Sequence, residues 1–273
     1  LARMGAGHVV LLGRNEPMPA VQESAKRIAS ETGATISMLK ADVSDNASLK
    51  NALSADDIPL AGILHAAGVL EDAPIMRQSV HTMERSFRPK VAGAWKLHEL
   101  AMQAGRGLEM FVMFSSVSSM IGSFGQANYA AANAFMDGLA RMRVFSGMPA
   151  LSVRWGVWGE VGMATSVVVQ RGLAQSGHNA LKPDVGVQCL EQLLGICHLI
   201  NCADPGAADI NWSKLISRMP RRQSMLSGLN KDITEKVRKN EIRAAENFTG
   251  SIANKRAEGD ARRAAEEAVA RVV

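Results

Sequence analysis

Over the first 160 residues, short and mainly apolar runs alternate with longer stretches of helical spacing. The runs at 8–12, 35–40, 60–65, 110–115 and 150–155 have strand length, and they are continuous rather than alternating. That is the pattern of strands covered by helices on both faces. The stretches at 18–32, 47–53, 80–104 and 127–145 read as helices. The alternation predicts an α/β fold with a doubly wound parallel sheet. After Trp155 the pattern thins. The segment 161–177 is rich in Gly and Val and reads as mobile, and Lys182-Pro183-Asp184 opens a helix carrying Val185, Val187, Leu190, Leu193 and Leu194. Asp209-Ile210-Asn211-Trp212 reads as a last short strand. From Met219 the chain turns polar; 264–273 has helical character, but no steady apolar stripe leads to it.

Composition narrows the class. The chain has 273 residues, 47% hydrophobic and 21% charged, enough for one large domain with a tail and too apolar for a disordered chain. No run of about 18 uncharged apolar residues appears, so no transmembrane helix is expected, and no signal pattern opens the chain. The net charge of +5 belongs to the tail. Residues 221–273 hold 12 Lys/Arg against 8 Asp/Glu, whereas the rest holds 19 against 18. A nucleic-acid-binding body has no support in that balance. Cys189, Cys197 and Cys202 form no CxxC pair and suit a reducing compartment. A zinc site on Cys197, His198 and Cys202 lacks a second ligand pair. The opening Leu1-Ala2-Arg3-Met4-Gly5-Ala6-Gly7 reads as the last turn of a helix closed by glycine, running straight into the first strand. This reading expects a chain that has lost what precedes it.

The most informative chemistry lies between Phe114 and Phe135. A strand ends in Ser115-Ser116; Tyr129 follows Ser116 by 13 residues and Asn133 follows Tyr129 by four. On a helix, Tyr129 and Asn133 share one face. Upstream, Lys90 stands in Arg88-Pro89-Lys90-Val91-Ala92-Gly93, and the set can converge at the carboxyl edge of the sheet. Hydride transfer to a ketone uses such a set. Charge develops on the carbonyl oxygen, a phenol protonates it, and an ordinary tyrosine near pKa 10 is a poor acid at neutral pH. A nearby ammonium favours the phenolate and lowers that value. A serine hydroxyl holds the carbonyl oxygen, and an asparagine can hold a water that returns the proton. Each residue alone has a plainer reading: Tyr129, the one tyrosine of the chain, as a packed ring, Lys90 as a solvated helix lysine, and Arg14 as a surface arginine.

Together these residues resemble the ketoreductase domain of a type I polyketide synthase, a relative of the short-chain dehydrogenases/reductases. The resemblance rests on Leu11-Leu12-Gly13-Arg14, Ala41-Asp42-Val43-Ser44-Asp45, His65-Ala66-Ala67-Gly68-Val69-Leu70, Lys90, Phe114-Ser115-Ser116, Asn128-Tyr129-Ala130-Ala131-Ala132-Asn133, Trp155-Gly156-Val157-Trp158 and Asp209-Ile210-Asn211-Trp212. Ordinary short-chain dehydrogenases carry the lysine four residues after the tyrosine; here Asn133 holds that place and the lysine lies upstream. The resemblance implies a Rossmann-like fold over 1–219, with 220–273 as a basic linker. It implies Tyr129 as proton donor, Ser116 as carbonyl anchor, and Lys90 and Asn133 as relay partners. It implies NADPH as cofactor, with Arg14 pairing the 2′-phosphate, Asp42 and Val43 near the adenine, and Ala67 and Gly68 passing close under the cofactor. Trp155 and Gly156 would close over the nicotinamide, with 161–177 as a lid. Leu70, Glu71, Asp72 and Gln126 would act in substrate and stereocontrol. Leu70-Glu71-Asp72 is similar to the Leu-Asp-Asp motif of the class making the D-configured alcohol, with Glu71 departing, and Ile121 stands where the opposite class has tryptophan. The implied substrate is a β-ketoacyl thioester on the phosphopantetheine arm of an acyl carrier protein, with other synthase domains in the same polypeptide and a cytoplasmic setting.

One feature of the family is missing: no GxGxxG turn follows a first strand. The resemblance therefore implies a sheet without its first, central strand and its glycine-rich loop. Such a chain would leave 8–12 and 60–65 unjoined, with two open edges, and would bind NADPH poorly alone. A fatty acid synthase ketoreductase, a free-standing short-chain reductase and an inactive reductase-like scaffold are the alternatives; the joint presence of Ser116, Tyr129, Asn133 and Lys90 argues against the last.

Overall fold

A computed structural model of the chain describes residues 1–53, 59–103, 108–162, 172–200, 202–218 and 226, with the side chains of 197–200 outside that description. The expected linker at 220–273 lies outside the described residues except for Leu226, as do the Cys197 and His198 side chains and most of the expected lid. The chain forms two compact units, Leu1–Ser152 and Val153–Val273. No helix among the described residues is long and apolar enough to cross a membrane.

The first unit begins with a single 3-10 turn at Ala2–Met4, closed by Gly5 at φ 98°. Strand β1 (His8–Gly13) leads to α1 (Pro19–Thr32), which takes its first turn from Pro19 and stops at left-handed Gly33, φ 72°. Strand β2 (Thr35–Lys40) then pairs in parallel with β1, from His8 opposite Thr35 to Gly13 opposite Lys40. Helix α2 (Asn46–Leu53) follows, and β3 (Gly62–His65) pairs in parallel with β4 (Met110–Ser116). The β1–β2 ladder and the β3–β4 ladder belong to separate sheets. No strand among the described residues joins them. The two ladders are also packed differently. Val112 and Met113 of β4 are wholly buried, whereas Leu11 and Leu12 of β1 are exposed.

The expected helix at 80–104 is two helices with a wide turn between them. Helix α3 (Val80–Phe87) opens on a capping box in which Ser79 and Thr82 each accept from the other's backbone N–H. A π-helical turn spans Arg88–Ala92, and α4 (Gly93–Gln103) continues from it. The cause is Pro89, which has no N–H to give and whose ring crowds the preceding turn. Single π turns inside helices recur at functional sites, and this one carries Lys90. After β4 come α5 (Ser118–Ile121) and α6 (Ala127–Phe145), the latter with the expected bounds. Helix α6 packs on β4, α3, α5 and the π turn. Ala94 and Leu97 of α4, Phe111 and Val112 of β4, and Ala132, Met136 and Ala140 of α6 are buried and form the core of this unit.

Strand β5 (Leu151–Trp155) carries the chain into the second unit. There Arg154 and Trp155 pair in parallel with Gly206 and Ala207 of β8 (Gly206–Ala207), and Arg154 donates to Asp204. Strand β6 (Val157–Trp158) pairs in parallel with β7 (His178–Leu181), which pairs antiparallel with β9 (Asp209–Ile210). β7 has no counterpart in the sequence reading: its residues directly follow the segment expected to be mobile, and its two partners come from other parts of the chain. Of that segment, 161–162 and 172–177 are described, and 172–175 are helical. The helix Pro183–Ile200 starts where Lys182-Pro183-Asp184 placed it. The expected strand at 209–212 ends earlier, because Asn211 caps the helix Trp212–Ser217 by accepting from the Lys214 N–H at 3.0 Å.

Candidate active site

Strand β4 ends in Phe114, Ser115 and Ser116, and the start of α6 lies against that end. Ser115 Oγ donates to the Asn133 carbonyl at 3.3 Å, which ties strand to helix. Tyr129, Asn133 and Asp137 follow one another at four-residue spacing along α6, one stripe of one helix face, and all are buried.

The first turn of α6 is organised by Asn128, a residue the sequence reading quoted but gave no role. Its Oδ1 accepts the Tyr129 N–H at 2.8 Å. Its Nδ2 donates to the Glu71 carbonyl at 2.8 Å, with Ser86 Oγ at 3.0 Å and the Thr82 carbonyl at 3.3 Å as further acceptors. One wholly buried amide thus joins α6, α3 and the loop after β3. Its signal in the sequence is its place directly before the tyrosine, which says nothing of its partners.

Lys90 reaches the site from the π turn and is only 2% exposed. Its Nζ donates to the Phe114 carbonyl at 2.9 Å and lies 5.3 Å from the centre of the Tyr129 ring. Burial pushes the Lys90 ammonium down to about 8, against the Asp137 charge, which holds it up. His65, at the end of β3, packs beneath the same turn, and its Nε2 donates to the Pro89 carbonyl at 3.0 Å. Burial, with Lys90's charge added, drives its imidazole down to about 4, so it is neutral. Gly93 opens α4 at this spot because a Cβ there would stand 2.8 Å from Val43 Cγ1 and 3.5 Å from His65 Cε1. Val43, expected near an adenine, thus touches the base of α4.

Burial raises the Tyr129 phenol, and hydrogen bonds from Asn133 and Ser116 pull it back without cancelling the rise. The sequence reading expected a phenol acidified by the cation. In this state desolvation outweighs that effect, because the lysine spends its short contact on a carbonyl and meets the ring from the side of its face. Asn133 Nδ2 donates to the Tyr129 carbonyl at 2.8 Å, and its Oδ1 is buried with no hydrogen-bond partner among the described residues. An orphaned acceptor beside a phenol is a place for a water or a ligand donor.

The loop after β3 is pinned at three points. Glu71 pairs with Arg85 at 2.6 Å, Asp72 Oδ2 accepts from Gln126 Nε2 at 2.9 Å, and the Glu71 carbonyl accepts from Asn128. Gln126, Glu71 and Asp72 are therefore brought together, and the charge of Asp72 opposes ionisation of Tyr129. Ala67 and Gly68 occupy the loop just past β3. At the carboxyl ends of β1 and β2, Asp42 accepts from the Ser44 hydroxyl at 2.6 Å and pairs with Arg88 at 3.6 Å. Burial opposes ionisation of Asp42, but those hydrogen bonds and the charges of Arg88 and Arg14 hold its carboxyl below the ordinary value. Arg14 is exposed, and Arg88 is a second guanidinium at this corner that the sequence reading missed. Among the described residues no cluster of His, Cys, Asp and Glu could hold a metal ion.

Trp155 and Gly156 lie in the second unit. The Trp155 ring is 4.8 Å from that of Trp158 between centres, tilted by 58°. Gly156 donates to the Ala207 carbonyl at 2.8 Å, and a Cβ there would collide with Ala208 at 2.7 Å.

Comparison with known proteins gives a consistent result. Residues 1–160 match the family model described as the KR domain. Among curated proteins, a mycocerosic acid synthase-like polyketide synthase of Mycolicibacterium smegmatis is 36% identical over 200 residues, 71% of this chain and 9% of that protein. A polyketide synthase of Streptomyces halstedii is 39% identical over 183 residues, 66% of this chain and 5% of the relative. The chain thus spans less than a tenth of the length of these relatives. Among solved structures, A-type ketoreductases from a modular polyketide synthase are 34% identical with a TM-score of 0.72, covering 78% of this chain and 44% of that one. The first ketoreductase of the tylosin polyketide synthase is also 34% identical, with a TM-score of 0.67 over 80% of this chain and 46% of that one.

Proposed function

We propose that this chain, which belongs to the KR domain family of type I polyketide synthases, reduces a β-ketoacyl thioester to the β-hydroxyacyl thioester within a synthase. The chain is an oxidoreductase of Rossmann-like fold, and its family uses a pyridine nucleotide. The finer reading is that the nucleotide is NADPH and that the substrate arrives on an acyl carrier protein. Support for the ketone reduction is the set of Ser116, Tyr129 and Asn133 at the end of β4 with the Lys90 ammonium over the phenol ring.

The residues fit NADPH where the structure allows a test. Two guanidiniums, Arg14 and Arg88, flank Asp42 at the carboxyl ends of β1 and β2, a corner suited to a ribose phosphate. Asp42 is there to accept from an adenine or ribose donor. When bound, the cofactor supplies the hydride; the remaining chemistry is the chain's own. Ser116 Oγ holds the substrate carbonyl oxygen beside the phenol. As the carbon is reduced, that oxygen becomes an alkoxide, far more basic than any tyrosine, and Tyr129 gives up its proton. A raised phenol suits this direction, because Tyr129 stays protonated until the alkoxide forms. The Lys90 ammonium then stabilises the phenolate, and a water on Asn133 Oδ1 carries the returning proton. Asp72, whose charge acts on Tyr129, and Gln126, which donates to Asp72, would together with Leu70 set which face of the ketone is presented.

Turnover of a β-ketoacyl thioester surrogate with NADPH, measured beside Tyr129→Phe, tests the reading. Removing the acid is expected to cost about 10²–10⁴-fold in turnover. Undiminished turnover in that variant overturns the assignment.

A further inference from the structure

We propose that Asn128 is a positioning residue for this reaction: its buried side-chain amide holds the loop after β3 and the backbone of Tyr129 at one fixed spacing, so that reduction yields one alcohol configuration. The inference rests on the proposed reduction at Tyr129 and on the part given there to Leu70, Asp72 and Gln126. It extends both to the residue that joins them.

The geometry fixes the amide in one sense. The Tyr129 N–H lies in the first turn of α6, where no carbonyl of the helix reaches it. Asn128 Oδ1 accepts it at 2.8 Å. The other end of the amide faces two carbonyls, of Glu71 at 2.8 Å and of Thr82 at 3.3 Å, with Ser86 Oγ at 3.0 Å. An N–H can only donate and a carbonyl can only accept. The amide therefore cannot be turned over, and Asp or Leu, of the same size, cannot satisfy both ends. Asn128 and Ser86 are both 0% exposed, so water does not compete for these bonds. The other side-chain ties of the loop are of a weaker kind. Glu71 pairs with an Arg85 side chain that is 55% exposed, and Gln126 meets Asp72 at the surface. Exposed pairs contribute little. A backbone bond from the Ala73 N–H to the Gly125 carbonyl at 2.8 Å joins the loop to the turn before α6, not to the tyrosine. The Asn128 amide is the tie that runs from the loop to Tyr129 itself. The acid and the wall beside it thus move as one body. A ketone held against Tyr129 meets that wall in one place, which decides which of its two arms lies on the loop side. Without the amide the wall shifts from the phenol, and both arrangements fit.

The test is the ratio of the two alcohol configurations formed by the full chain from a β-ketoacyl thioester surrogate and NADPH, read by chiral chromatography beside kcat and KM. Asn128→Asp keeps the shape and the acceptor for Tyr129, and a carboxylate is favourable at the start of α6. It loses the donation to Glu71 and Thr82. The ratio is expected to fall about tenfold, the worth of one buried hydrogen bond. In Asn128→Ala, which loses both ends, it falls as far or further. Arg85→Ala cuts the exposed pin, and Met136→Ala opens a cavity further along α6. Both are expected to keep the ratio within about twofold, although the second lowers stability. A merely structural asparagine would lose folded protein without changing what each turnover makes. An unchanged ratio in either folded Asn128 variant, or an equal fall in Arg85→Ala or Met136→Ala, therefore overturns the proposal. Should neither Asn128 variant fold, the parent chain decides. Its Asn128 Nδ2 protons are expected to exchange with deuterium oxide at least about 10²-fold more slowly than those of exposed asparagines, and exchange at the exposed rate overturns the tie. A parent chain that turns over no β-ketoacyl thioester speaks against the proposed function, while this exchange still decides Asn128.

Discussion

At the carboxyl end of β4, the Lys90 ammonium donates to the Phe114 carbonyl and lies over the Tyr129 ring. Toward the amino end of the same strand, the Arg143 guanidinium lies 4.1 Å over the Phe111 ring. It donates to His98 Nδ1 at 2.7 Å and to the Pro149 carbonyl at 3.2 Å. Both cations are 2% exposed and both cover an aromatic face, on the same strand–helix pair. They differ in what burial can do to them. The amine of Lys90 comes down to about 8, within reach of working pH. A guanidinium stays charged under any ordinary burial, and its planar fork holds two acceptors at once. The chain thus keeps a labile proton where chemistry needs one and a fixed charge where packing needs one. The arrangement around His98 follows the same logic: burial and then the Arg143 charge lower its pKa, which leaves Nδ1 free to accept.

Exchanging the two cations is the strongest way to break this comparison. Lys90→Arg is expected to lower turnover by about 10²-fold, the low end for an acid–base contribution, and to abolish the alkaline limb near pH 8. A profile in which that limb persists would mean that another group sets it. The opposite exchange, Arg143→Lys, is expected to leave turnover per folded molecule unchanged. It should lower stability by about 2 kcal/mol, because one ammonium cannot serve both His98 and Pro149, and urea unfolding reads the difference.

His65 sharpens the picture on the acid side. Its imidazole titrates at about 4 in the fold and at 6.5 in the unfolded chain, so the unfolded chain binds more protons between those values. The stability it contributes is complete above about pH 6.5 and is lost as pH falls toward 4, up to about 3 kcal/mol. His65→Gln should flatten that slope in unfolding measured across this range. The smallest effect belongs to Gly93→Ala, whose Cβ would press on Val43 at 2.8 Å. A loss of about 1 kcal/mol is expected, with the Lys90 limb displaced because the π turn ends at that residue.

The elements of the first unit were largely legible along the chain, since continuous apolar runs and 3.6-residue spacing are local properties. Helix α6 matched to the residue, and α1 was marked by Pro19 and Gly33. The break at Pro89 was visible in the letters but passed over, because a proline can kink a helix or end it, and only packing against β4 and α6 selects a π turn. Strand β7 could not be read locally, because His178–Leu181 is a strand only through β6 and β9. At the site, residue types and spacing assembled Ser116, Tyr129, Asn133 and Lys90 as one set. The same reasoning missed Asn128, Asp137, His65 and Arg88, whose letters are ordinary and whose meaning lies in partners 15 to 57 residues away.

Sequence alone thus determined which groups could donate and relay a proton, because those are properties of side chains at fixed helical intervals. Tertiary structure alone decided how acidic each group is, because ionisation depends on how much water is removed and which charges replace it. The phenol that sequence expected to be lowered is raised by burial, and burial lowers the Lys90 ammonium while the charge of Asp137 opposes that fall.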